Sequence, residues 1–170
     1  MRKIFVETSQ IRIRNTKEED LDFVVTSERD PANAAYVDQW GIDKHSKSLT
    51  DKDILHLIIE DRTNNNKVGY MIVAGLQNPH HSIELKRLVI TTPGKGFGRE
   101  VLRLMKRLAF QELDGHRLWL DVRCSNDRAH NLYKSEGFKD EGILRDCVLY
   151  NGKYESIIMM SILENEIEKI

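Results

Sequence analysis

Three glycines stand at alternate positions in TTPGKGFGREVL, residues 91–102: Gly94, Gly96 and Gly98. Glycine lacks a Cβ and accepts positive φ, so such a stretch can turn several backbone N–H groups outward together. At a helix start those groups and the helix dipole favour an anion, and a diphosphate suits their spread. Lys95 and Arg99 add charge at the same place, and from Lys86 to Arg107 seven basic residues stand against the single acid Glu100. A bare tight turn from strand to helix would use the same glycines, and the loop alone does not choose between the two. Two nucleotide fingerprints are excluded. G-x-G-x-x-G fails because Arg99 or Val101 occupies the third glycine position, and no G-x-x-x-x-G-K-[ST] string exists in the chain.

The elements around the loop read from hydrophobic periodicity. IELKRLVI at 83–90 is a strand that feeds the loop. After Gly98, Val101, Leu102, Met105, Leu108, Ala109 and Leu113 recur at three- and four-residue intervals as one helix face ending before Gly115. HRLWLDVRC at 116–124 alternates as a strand, and Asn126 resembles the N-cap of a helix with Ala129, Leu132 and Tyr133 on its inner face, ending at Gly137. Upstream, IRIRN at 11–15 is a strand, and 16–29 is a helix with Thr16 as its cap. Residues 31–53 are irregular, with one or two short helices. LHLIIED and KVGYMIVAGL form a hairpin across RTNNN, and the chain closes with a second hairpin around Asn151-Gly152. The order predicts one mixed α/β layered domain over residues 1–170: a central, mostly antiparallel twisted sheet of about seven strands flanked by about four helices.

Composition supports a single globular unit, with 40% hydrophobic and 31% charged residues in a chain of 170. A net charge of -1 provides no global attraction to nucleic acid, and no aromatic platform is interleaved with the basic stretch. No apolar run approaches the roughly 20 residues of a membrane span, so a cytoplasmic location is expected. Cys124 and Cys147 form no C-x-x-C pair and are expected to be buried thiols, and the six histidines lack metal-ligand spacing, so no metal is expected.

Three segments together, IELKRLVI, PGKGFGREVL and NDRAHNLYKSEGF, resemble the GNAT superfamily of acyl-CoA-dependent N-acetyltransferases, in its ribosomal-protein and polyamine acetyltransferase-like branch. The middle segment follows the family pattern Q/R-x-x-G-x-G/A, except that Pro93 stands where Gln or Arg is usual. The third follows N-x-x-x-x-N-x-Y-x-x-x-G-F, and the NGKY turn is also similar. The resemblance, which spans 83–163, implies a sheet that splays after its fourth strand, 83–90, and takes acetyl-CoA as co-substrate. It implies that Leu88, Val89 and Ile90 line the pantetheine cleft and that Gly94, Lys95, Gly96, Phe97, Gly98 and Arg99 hold the pyrophosphate. Asn126 and Asn131 would be further polar contacts to CoA, although Asn126 equally suits a helix cap.

Such a reaction needs a neutral amine, and at pH 7 an amine of pKa near 10 is free base in only about one molecule in a thousand. Glu84, beside the implied cleft, is the candidate base; a solvated strand residue would read the same way. The neutral amine attacks the thioester directly, a backbone amide near Val89 is the candidate oxyanion donor, and Tyr133 matches the family's general acid toward the CoA thiolate. Tyr133 would also serve as a simple packing aromatic. The acceptor is an amine, on a small molecule or at a protein N-terminus, with Trp40, Asp38, Asp30 and the 77–82 loop as candidate neighbours. A homodimer is compatible with these features. A non-catalytic acyl-CoA-binding protein is the rival reading; it would keep the loop and dispense with Glu84 and Tyr133.

Overall fold

A computed structural model describes residues 3–167. Its sheet has eight strands in the order β1-β2-β3-β4-β5-β6-β8-β7. These are β1 (Ile4–Glu7), β2 (Ile11–Asn15), β3 (Ile54–Asp61), β4 (Lys67–Ala74), β5 (Ser82–Ile90), β6 (Arg117–Arg123), β7 (Lys139–Tyr150) and β8 (Lys153–Leu163). The helices are α1 (Leu21–Arg29), α2 (Pro31–Ala34), α3 (Ile42–Ser48), α4 (Phe97–Arg107, extended by a π turn at Leu108–Glu112) and α5 (Asp127–Ser135). The unexpected strand is β1, a four-residue piece too short to show alternation, which pairs antiparallel with β2.

Every strand pair is antiparallel except β5 with β6. That parallel contact is brief: Ser82, Ile83 and Glu84 face Arg117, Leu118 and Trp119, and beyond Glu84 the two strands part. β5 carries a bulge at the same point, because Val73 faces Leu85 whereas Ile72 faces Arg87, which leaves Lys86 unmatched. A bulge re-aims the residues after it. Ile83 and Leu85 are buried in the main core before the bulge, whereas after it Leu88 and Ile90 pack on that core and Val89 belongs to a second cluster on the opposite face.

The main core lies between the sheet and α4, where Val101, Leu102, Met105, Leu108 and Ala109 are fully buried, as their spacing predicts. Each of the four larger side chains contributes about 1.5–3 kcal/mol. On the other face α1 and α3 cover Tyr70, Ile72 and Val89. The chain enters α1 through a 3₁₀ turn at Glu18–Asp20, and Thr16 does not cap it. The Thr16 hydroxyl instead meets His56 Nδ1 at 2.8 Å. The two cysteines are exposed, not buried: Cys124 follows the last residue of β6, and Cys147 sits in a bulge of the edge strand β7.

Candidate active site

The glycine loop turns into α4 through two positive-φ residues. Gly94 (φ 87°) and Gly96 (φ 78°) occupy the left-handed region, and Gly96 is the N-cap of α4. A Cβ at either position would meet nothing within 4 Å, so conformation and not space requires glycine there. Gly98 differs: its φ is ordinary and a Cβ would sit in van der Waals contact, 3.4 Å from Leu132 Cδ2 of α5, so neither conformation nor space requires glycine there.

From this loop a groove of about 900 Å³ runs between the end of β5, α5 and α2. Leu88, Ile90, Gly94, Gly96, Phe97, Gly98, Arg99, Asn126, Asn131 and Tyr133 all line it. Phe97 is 5% exposed and forms the groove floor as part of the core. Asn126 Oδ1 accepts the Ala129 N–H at 3.2 Å, so its capping role is present.

Two expected contacts, Val89 and the Lys95 side chain, fall elsewhere. Val89 is buried on the opposite face of the sheet. Its amide is also unavailable: Thr91 N–H donates to Val68 O at 2.9 Å, and strand alternation aims Val89 N–H the same way, toward β4. The amides directed at the gap are those of Leu88 and Ile90. The Lys95 side chain lies 5.9 Å over the Phe97 ring and is not part of the groove lining. Arg99 reaches the groove, but its guanidinium donates to Glu136 Oε1 at 2.6 Å, and Arg103 and Lys106 lie 3.3 and 3.2 Å from Glu136 Oε2. Burial alone would raise the Glu136 pKa, yet these three cations hold it below the usual carboxylate range. Much of the basic stretch therefore clamps α4 to the turn after α5. The groove cation without an ion pair among the described residues is Arg128, in the first turn of α5, which charge counting over 86–107 passes by.

A second pocket, about 360 Å³, opens on the other side of Tyr133. Glu84, Asp121, Asp38, Trp40, Lys44, Lys86, Arg87 and Arg123 line it. Burial raises the Glu84 pKa above its ordinary value, with Asp121 adding to the effect and Lys86, 3.6 Å away, opposing it. Desolvation within the pocket, followed by the nearby Asp38, raises Asp121 likewise, although the residue keeps a largely exposed surface. Asp121 forms no ion pair among the described residues, and sequence reading missed it because β6 alternation alone does not say which face meets the cleft. Burial, helped by Asp121, pushes the Tyr133 phenol up to about 12. Its hydroxyl makes no hydrogen bond among the described residues and so stays protonated and free to donate. Trp40 has its ring engaged by Lys44 at 4.0 Å and Arg87 at 4.6 Å, so it is not the open cation platform expected. Asp30 caps α2 through Ala32 N and lies outside the pocket, as does the 77–82 loop.

Two cavities meet beside a protonated phenol, one lined by bare backbone at a helix start and one bearing carboxylates, an arrangement that suits acyl transfer. The sequence model of the acetyltransferase (GNAT) domain matches residues 10–139, and the chain belongs to that family. Spermidine N(1)-acetyltransferase of Vibrio cholerae serotype O1 is 29% identical over 125 residues, covering 72% of this chain and 70% of the relative. The putative [ribosomal protein bS18]-alanine N-acetyltransferase of Bacillus subtilis is 26% identical over 154 residues, covering 89% and 96%. The crystal structure of the Vibrio cholerae spermidine N-acetyltransferase in complex with CoA and spermine superposes with a TM-score of 0.84 at 26% identity, covering 94% of this chain and 98% of that one. The protein is an acetyl-CoA-dependent N-acetyltransferase that acts on amines.

Proposed function

We propose that the acceptor is a polyamine of the spermidine class, that Glu84 takes the proton from its attacking nitrogen, and that Tyr133 protonates the departing thiolate. The observation that carries this reading is the position of Tyr133: two tyrosines line both cavities, and Tyr133 is the half-buried one whereas Tyr36 is 42% exposed. Acetyl-CoA lies along the first with its diphosphate on the amides from Gly94 to Arg99 and near Arg128, and the amine enters from the second. Asp121, which forms no ion pair among the described residues, holds a second ammonium group of the acceptor while Glu84 works on the first. The nitrogen attacks the thioester carbon, the amide of Leu88 or Ile90 stabilises the oxyanion, and the C–S bond breaks as sulfur receives the Tyr133 proton. The relatives named for spermidine acetylation support the polyamine class. A second copy of the chain is the proposed partner of the β7–β8 hairpin, where Leu149 and Tyr154 are 62% and 68% exposed; one spermidine N-acetyltransferase neighbour is described as dodecameric.

The test is thiol release from acetyl-CoA across spermidine, spermine, single amino acids and a peptide with a free N-terminus. The polyamines should give the highest kcat/KM. A preference for the peptide would overturn the acceptor assignment while leaving the acetyl-CoA half of the site intact.

A further inference from the structure

Behind the second pocket lies a buried carboxylate that the chemistry above does not use. Glu28, on α1, is fully buried. Its Oε1 accepts from Tyr70 Oη at 2.6 Å and from the Arg87 guanidinium, and lies 3.1 Å from His45 Nε2. Its Oε2 accepts the backbone N–H of Trp40 at 2.9 Å. One side chain thus ties together β4, α3, the segment leading into α3, and β5 immediately after its bulge. Two of the groups it holds, Arg87 and Trp40, are walls of the second pocket, and they also stack on each other.

The charges around that pocket give the tie a purpose. Arg123 pairs with Glu155 at 3.2 Å and Asp38 at 3.6 Å, Lys86 lies 3.6 Å from Glu84, and Lys44 rests on Trp40. Arg87 is balanced by Glu28, from the buried side, and not by a pocket carboxylate. Without Glu28 its guanidinium would be an uncompensated positive charge on the wall, free to turn toward Glu84 and Asp121 and compete with an incoming ammonium group. We propose that Glu28 is a positioning residue for acceptor specificity: it anchors Arg87 and Trp40 as the back wall of the pocket and cancels the charge that would repel a polycationic amine. The inference rests on the second pocket being the acceptor site.

Glu28→Gln, Glu28→Gln/Arg87→Met and Asp121→Asn should be compared with the wild type by steady-state kinetics with spermidine and acetyl-CoA. Glu28→Gln is expected to raise the spermidine KM about tenfold or more, the scale of one unbalanced charge near a cationic ligand at reduced dielectric, with the acetyl-CoA KM little changed. The added Arg87→Met should reverse most of that rise, which a merely structural role for Glu28 would not produce. A spermidine KM unmoved in Glu28→Gln, or a rise that Arg87→Met fails to reverse, would overturn the proposal. If Glu28→Gln is too unstable to assay, the double variant decides alone: a spermidine KM close to wild type supports the proposal and a large rise contradicts it. Asp121→Asn separates the two layers. If it leaves the spermidine KM unchanged, the pocket assignment itself fails; if it raises KM while Glu28→Gln does not, only the role of Glu28 falls.

Discussion

Glu84 and Tyr133 face opposite demands from the same burial, which raises both pKa values. For the phenol this secures the proton that the proposed reaction asks of it. For the carboxylate it moves ionisation upward, so the group becomes a base only above the ordinary glutamate value of about 4.3. The acid limb of kcat/KM with spermidine is therefore expected above that value, and Glu84→Gln should remove the limb while lowering kcat by about 10²–10⁴. A limb that persists in Glu84→Gln would assign the base elsewhere, with Asp121 the next carboxylate. Arg128→Ala should raise the acetyl-CoA KM and leave the spermidine KM unchanged, whereas Lys95→Ala should do neither, because the Lys95 side chain lies outside the groove. At this scale the groove lining was readable where it is local. Gly94, Gly96 and Gly98 declare themselves by spacing, and Asn126 and Tyr133 by their place in one short segment. Asp121 and Glu28 were not readable, since strand pairing and helix docking bring them in from distant parts of the chain. Val89 was placed on the wrong side because alternation gives a period but not the edge to which a given amide points.

Among the elements, β5 and its bulge govern the site. The bulge at Lys86 keeps Leu88 and Ile90 on the groove side while Glu84 and Arg87 line the second pocket. Sequence reading located this strand and both helices that follow glycine or asparagine caps, since α4 and α5 carry clear apolar stripes. It left 31–53 irregular because α2 and α3 are short and polar, held in place by tertiary bonds and not by an amphipathic face. Entry into α1 depends on such bonds too. Asp20 is 2% exposed, and burial would raise its pKa, but Arg14, the Lys17 amide and Lys67 bring it down to about 2. A depressed carboxylate stabilises the fold above its unfolded pKa, and that contribution is lost as pH falls through the folded value. Asp20→Asn should thus cost about 2 kcal/mol at pH 7, and its stability should fall less than that of wild type between pH 4 and pH 2. Urea unfolding at several pH values measures both. Leu102→Ala, in the middle of the buried α4 face, should cost about 2–5 kcal/mol.

For the whole molecule, the layered fold and antiparallel bias followed from the order of elements, and the eighth strand escaped because four residues show no period. The splay between β5 and β6 is a property of the complete sheet: only three residue pairs join the strands before they part. In the proposed reaction that gap gives acetyl-CoA and the amine separate approaches to the Tyr133 phenol, and no described helix is long and apolar enough to cross a membrane. If the β7–β8 hairpin joins copies of the chain, sedimentation should show an oligomer that Leu149→Lys with Tyr154→Lys reduces in size. The measurement that bears most directly on the whole account pairs turnover with binding in Tyr133→Phe. Acetyl transfer to spermidine should fall about 10²–10⁴-fold while the Kd for acetyl-CoA stays near the wild-type value. Unimpaired turnover in Tyr133→Phe would contradict the account, because the two cavities would then meet at a residue that takes no part in the reaction.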